Sequence, residues 1–99
     1  MFSRKFVRGI ILGLLAAAET REDGPQPMTD LSLFYLLRDL DYATGADVVR
    51  EHLRYLAQAG YAELTKDYVP AAEREVVRVE ITGKGLALVS GDLAEDPFI

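Results

Sequence analysis

The chain has 99 residues, no cysteine, one histidine and a formal net charge of −5 at pH 7. This length supports one small domain over residues 1–99, and the lack of cysteine excludes disulfides and thiolate metal sites, so we expect no metal and no cofactor. An apolar content of 49% argues against global disorder, and the acidic balance argues against strong non-specific binding to nucleic acid.

The first stretch, MFSRKFVRGIILGLLAAAET, has two interpretations. Basic residues precede a short apolar run and a group of alanines, which resembles a secretory signal. Alternatively, the same stretch forms a first core helix, and we favour this because its removal would leave the next two helices without a packing partner. The run is shorter than the roughly 20 residues that span a bilayer, so we expect a cytoplasmic protein with no membrane partner. The apolar side of the predicted helix consists of Phe6, Ile10, Ile11, Leu14, Leu15 and Ala18.

A linker and a second helix follow. Residues 21–28, REDGPQPM, contain glycine and proline and interrupt helical structure. Thr29 is the predicted N-cap of the second helix, with Asp30 favourably placed at its positive end. Residues 31–40 are apolar nearly all round, which is typical of a helix that is deeply buried or shared with a partner chain.

The stretch TGADVVREHLRYLAQAG, residues 44–60, predicts a third helix. Thr44 is its predicted N-cap, with Asp47 in the capping-box position. Gly60 is predicted to end the helix in a left-handed conformation. The apolar face repeats at helical spacing and consists of Val49, Leu53, Leu56 and Ala57.

After Gly60 the apolar pattern changes from helical to alternating, which predicts strands with one buried face. Pro70 discourages continued pairing, so residues 65–76 are predicted to form a loop between the strands. Thr82 is predicted to cap a last short helix that ends at Gly91. The alternating apolar residues are Ala62 and Leu64 in the first run and Val77, Val79 and Ile81 in the second.

This order of elements predicts an α+β fold, mainly α, of the winged helix-turn-helix type. It would have a three-helix core, a two-stranded wing and a short C-terminal helix, followed by a tail at 92–99. The first two helices carry more apolar surface than so small a domain easily buries. We therefore expect a homodimer whose interface is formed by the first helix, with Phe98 and Ile99 of the tail contributing to the same interface.

Two motifs resemble known families. The run LxxLxxxGY at 53–61 and the ITGKG at 81–85 resemble winged-helix regulators of the ArsR, MarR and PadR type. Nearly the whole chain, from LFYLLRDL to the DPFI end, looks like a small protein family of Mu-like bacteriophages and prophages, often described as ArsR-type regulators. The resemblance implies a transcription regulator that binds DNA as a dimer. The elements that it implies contact the DNA are helix 44–58 and wing 66–75. The DNA contacts it implies are Asp47, Arg50, Glu51, Arg54, Gln58, Lys66, Tyr68 and Arg74.

An alternative function is a winged helix used for protein contact without DNA. Asp47 and Glu51 would direct acidic groups at phosphates, and glutamates flank Arg74. Arg50 and Arg54 lie one helical turn apart and would either reach guanine edges and phosphates or pair with neighbouring acids on a solvated face.

The other polar residues have less specific interpretations. His52, near the middle of the third helix, is interpreted as a packing residue at the boundary of the core and not as a metal ligand, because no second ligand is near it in sequence. The basic residues Arg4, Lys5 and Arg8 would either touch the DNA backbone or simply decorate the surface. The GKG at 83–85 lacks the spacing of a phosphate-binding loop, and no nucleophile lies in a recognisable setting, so we predict that the protein is not an enzyme.

Overall fold

The computed structural model describes residues 3–19, 28–42, 44–91 and 99. Residues 21–27 of the predicted linker and residues 92–98 of the tail, including Phe98, lie outside the described residues, whereas Met28 begins the first strand. The helices are α1 (Arg4–Glu19), α2 (Asp30–Asp39), α3 (Ala46–Gln58) and α4 (Gly83–Ser90). The strands are β1 (Met28–Thr29), β2 (Ala62–Val69) and β3 (Arg74–Ile81), with a 3-10 turn at Pro70–Ala72. They form one antiparallel sheet in the order β1-β3-β2.

The architecture is therefore α+β and mainly helical, as predicted, and its order is compatible with a winged-helix arrangement. One hydrophobic core joins α1, α2 and α3 to the inner face of the sheet. Among the described helices, none combines the length and the apolar character needed to cross a bilayer.

Helix α1 belongs to this core, which confirms the prediction of a first core helix. Most of the predicted face contacts this core, since Ile11 and Leu15 are buried in it and Ile10, Leu14 and Ala18 pack against it. Two residues differ from the prediction: Phe6 is 45% exposed, and Leu12, which was not predicted, is 1% exposed. Phe6 instead lies beside Tyr42, with 5.7 Å between ring centroids. The apolar run continues around the helix, so the sequence alone does not fix which side meets the sheet. The buried residues of α1 are Val7, Ile11, Leu12, Leu15 and Ala16.

Helix α2 begins with the predicted cap. The Ser32 amide donates to Thr29 Oγ1 at 3.1 Å, and the Thr29 amide donates to Ser32 Oγ at 2.8 Å, so the two residues cap each other. The two-residue strand β1 just before it was not predicted. Of the two interpretations of this apolar helix, burial on all sides is not observed, because Leu33 and Leu37 are fully buried while Tyr35 is exposed. Its sharing with a partner chain stays a prediction.

The start of α3 differs from the prediction. Its N-cap is Gly45 and not Thr44, and no side chain caps the helix. Asp47 is therefore the second helical residue, which is one position short of the capping-box position. A Cβ on residue 45 would lie 2.6 Å from Asp47 Oδ1, so the aspartate fills the space that a larger capping residue would need.

The C-terminal end of α3 follows the prediction. Gly60 is left-handed, with φ of 86°, and the Tyr61 amide donates back to the Leu56 carbonyl at 2.9 Å. The predicted cap of α4 is also confirmed, because Thr82 Oγ1 accepts a hydrogen bond from the third helical amide at 3.1 Å. Gly91 ends α4, with φ of 85°.

The predicted loop over residues 65–76 is wrong, because pairing between β2 and β3 continues from Ala62↔Ile81 to Val69↔Arg74. Pro70 lies just beyond the last pair, where its missing amide interrupts no ladder. The turn then closes through Glu73, whose φ is 50°. The β2–β3 hairpin is therefore longer, and its loop shorter, than the alternating pattern indicated.

Candidate nucleic-acid interface

A groove opens between α3 and the β2–β3 hairpin, with a volume of about 280 Å³. On the helix, its residues follow spacings of three and four, which place them on one face. On the hairpin, Lys66 lies directly opposite Val77, so their side chains share one face of the sheet. The lining of this α3–hairpin groove consists of Arg50, Leu53, Arg54, Leu64, Lys66 and Val77.

The groove has an apolar floor and a cationic rim. Leu53 is 1% exposed and belongs to the hydrophobic core, and Leu64 and Val77 pack against that core. Arg54 and Lys66 are exposed, and neither has a hydrogen bond or an ion pair within the part of the chain that the structure describes. Both cations are therefore accessible to an anionic ligand.

Arg50, the third cation of the groove, forms an ion pair with a buried carboxylate. Its Nε donates to Asp30 Oδ2 at 2.8 Å, and the Asp30 side chain is 3% exposed while that of Arg50 is 43% exposed. The aspartate is the first residue of α2, so this ion pair joins two helices. Arg50 therefore pairs with neither of the neighbouring acids that the sequence suggested.

The same carboxylate also holds the hairpin, because the Val77 amide donates to Asp30 Oδ1 at 3.1 Å. Strand β1 ends at Thr29, which pairs with Arg78. The next amide of β3 is that of Val77, and β1 has no further residue to pair with it. The Asp30 side chain accepts the hydrogen bond of this amide in place of a strand carbonyl.

The pKa of Asp30 reflects these contacts. Burial by itself would raise the pKa, but the hydrogen bonds from Arg50 and from the Val77 amide outweigh it and lower the pKa below 3.8. The carboxylate is consequently charged at neutral pH and forms a true ion pair with the guanidinium.

The remaining candidates of α3 are placed differently. Asp47 and Gln58 are exposed near the two ends of the helix. Glu51 is exposed as well, but it accepts a hydrogen bond from Arg4 at 3.3 Å, outside the groove. The helix surface beside the groove is therefore of mixed charge.

The wing candidates do not form one patch. Tyr68 is 55% exposed and lies two residues beyond Lys66, on the same face of the hairpin. Arg74 is paired with Val69, which lies three residues from Lys66. Because side chains alternate along a strand, Arg74 lies on the face of the hairpin opposite to that of Lys66. Arg74 therefore does not face the groove together with Lys66, Arg50 and Arg54.

Two basic residues of α1, Arg4 and Arg8, contact α3 outside the groove, through Glu51 and Tyr55. The guanidinium of Arg8 is stacked over the Tyr55 ring, 4.2 Å from its centroid. His52 is 3% exposed, which agrees with its interpretation as a packing residue. Burial, together with the charges of Arg8 and Arg4, lowers the pKa of His52 below 6.5. Among the described residues, no cluster of His, Asp and Glu could hold a metal ion.

Asp30 was missed as a member of the site. The sequence indicated only its favourable place at a helix start, because its partners are 20 and 47 residues away along the chain. A carboxylate directly after a capping threonine is common at helix starts and carries no sign of such contacts.

Compared with known protein families, with curated proteins and with solved structures, the chain shows no match. The function is therefore inferred from the geometry of the groove and from the sequence pattern.

Proposed function

We propose that this protein is a winged-helix DNA-binding regulator of transcription, of the type found in phages and prophages. The observation that carries the proposal is the convergence of Arg50, Arg54 and Lys66 along one groove between a helix and a hairpin. In this proposal, α3 enters the major groove and the hairpin acts as a wing on the neighbouring backbone. The role is one of binding, without catalysis.

The overall charge makes a local patch necessary. With a net charge of −5, the protein as a whole repels DNA, so the binding energy must come from short-range contacts. Arg54 and Lys66 supply free cations for phosphates, and Arg54, Gln58 and Tyr68 supply exposed groups for base edges or sugars.

We also propose a homodimer, in which two α3 helices meet half-sites about 34 Å apart, one turn of DNA. It is supported by exposed apolar side chains that one domain leaves uncovered, and those outside the hairpin include Phe6, Tyr35, Leu36, Leu40 and Val89.

The proposal can be tested by selecting from a random duplex library and then measuring fluorescence anisotropy with the enriched sequence at 50–200 mM salt. Arg54→Ala should weaken binding by about 1–3 kcal/mol if the side chain reads a base, or should lower the salt dependence by about one ion if it touches phosphate. Arg38→Ala is the matched control, because Arg38 is an exposed arginine of α2, away from the groove. Failure to enrich any sequence and to bind DNA even at the lowest salt would refute the proposal.

A second candidate is a protein-contact module. It is favoured by the apolar floor of the groove, which phosphates do not need, and by the acidic balance of the chain. If DNA binding is absent, this candidate can be tested by comparing the proteins captured in a pull-down by the parent and by Lys66→Glu. A partner that binds at the groove should be captured by the parent and lost with the variant.

A further inference from the structure

Asp30 is the strongest unassigned feature, because it is a buried acid beneath a cationic groove. Both of its carboxylate oxygens accept hydrogen bonds, one from Arg50 on α3 and one from the Val77 amide on β3. It therefore links the helix and the hairpin that form the two walls of the groove.

The contact with Arg50 uses only the Nε of the guanidinium. The terminal Nη1 and Nη2 groups make no hydrogen bond within the described ranges, and the side chain lines the groove. Because a guanidinium is planar and its donors have a fixed arrangement, holding Nε also fixes the direction of both Nη groups. Such an oriented pair of donors matches the oxygens of a phosphate group.

The contact with Val77 fixes the opposite wall. Val77 is the cross-strand partner of Lys66, so the position of its backbone also sets the position of the lysine. One carboxylate thereby sets the separation between Arg50 on one side of the groove and Lys66 on the other.

We propose that Asp30 is a positioning residue for nucleic-acid binding, which orients the Nη groups of Arg50 and the strand that carries Lys66 toward a backbone phosphate of DNA. The inference rests on the proposed function and specifies which ligand atoms the groove takes. Asp30 itself is too deeply buried to touch the ligand.

Removal of the Asp30 charge tests this role because two effects predict opposite results. By simple electrostatics, Asp30→Asn removes a negative charge near the groove and should strengthen DNA binding. If Asp30 positions Arg50, the same variant should weaken binding, and we expect a loss of at least fivefold at 100 mM salt. Glu75→Gln is the charge-matched control, because Glu75 is exposed and lies on the groove side of the hairpin, and it should bind as tightly as the parent or tighter.

Arg50→Lys provides a second variant that keeps the positive charge. Lysine lacks the fork of donors, so we expect a loss similar to that of Asp30→Asn, whereas Arg54→Lys should lose less because no acceptor holds Arg54. The double variant Asp30→Asn with Arg50→Lys should bind no more weakly than Arg50→Lys alone, because both changes disrupt the same contact between Asp30 and the Arg50 guanidinium.

Two measurements do not require DNA. In Asp30→Asn, the Nε–H resonance of Arg50 should shift and exchange faster with water, and the Val77 amide should lose protection against hydrogen exchange, while circular dichroism reports an intact fold. If the parent binds DNA but Asp30→Asn binds equally or more tightly, the positioning role is refuted and the proposed function stands. If the parent binds no DNA, the proposed function is refuted, and this role with it, whatever the resonances show.

Discussion

Gly85, the third residue of α4, should be intolerant of any side chain, although glycine inside a helix usually costs stability. A Cβ at this position would lie 2.7 Å from Ile81 Cγ1, and it would approach the Tyr61 carbonyl oxygen still more closely. That oxygen cannot easily retreat, because it accepts the Thr82 amide at 3.0 Å. The glycine therefore allows α4 to cross the end of the hairpin in close contact.

The expected magnitude follows from two opposing effects. Overpacking against a fixed backbone atom costs about 3 kcal/mol, at the upper end of the usual range. Replacement of glycine by alanine in a helix returns about 1 kcal/mol. Gly85→Ala should therefore lower the free energy of unfolding by about 2 kcal/mol, which corresponds to roughly 8–16 °C in the melting temperature of a domain of this size.

Gly83→Ala is the matched control in the same turn, because a Cβ at residue 83 would meet no atom within 4 Å. It should leave the protein as stable as the parent or slightly more so. Urea denaturation followed by circular dichroism measures both variants. Equal stability of Gly83→Ala and Gly85→Ala would show that α4 does not cross the hairpin in this way.

Three further outcomes are expected. Gly60→Ala should cost about 1 kcal/mol, because residue 60 is left-handed, and an unchanged melting temperature would contradict that conformation. The pKa of His52 is lowered in the folded state, so the unfolded chain binds the proton more readily and stability should fall as pH drops below 6.5. His52→Gln should lose this component of the pH dependence in acid titrations, and an identical slope would exclude His52 as its source. Light scattering at micromolar concentration should give the mass of a dimer, and Phe6→Glu should shift the mass toward that of a monomer if α1 forms the interface; a parent of monomer mass would reject the dimer.

The elements with strong local patterns could be predicted from the sequence. The cap at Thr29, the left-handed Gly60 and the cap at Thr82 depend on neighbouring residues only, and all three are confirmed. The start of α3 was misplaced by one residue, because Thr44 and Gly45 are both acceptable caps and packing decides between them.

Features that depend on distant residues could not be predicted in this way. Strand β1 has only two residues, and it exists because Met28 pairs with Val79 about half the chain away. The length of the hairpin was underestimated because Pro70 was expected to interrupt the pairing, whereas it lies just beyond the last pair, Val69↔Arg74. The cations of the candidate site could be predicted, but the ion pair of Arg50 with Asp30 could not.

The uneven covering of the hairpin has a consequence for motion. Near its base, Ala62, Val79 and Ile81 are buried in the core, whereas β2 is exposed from Thr65 to Val69. On the facing part of β3, residues 74–78, only Val76 is buried. A two-stranded ribbon with so little packed surface is only marginally stable by itself. The free energy of local opening should therefore decrease from the base of the hairpin toward its turn. The outer part of the hairpin, which faces a ligand in the proposed function, is then also the part that opens most easily. Ordering this part on binding costs conformational entropy, and that cost reduces the net free energy of binding.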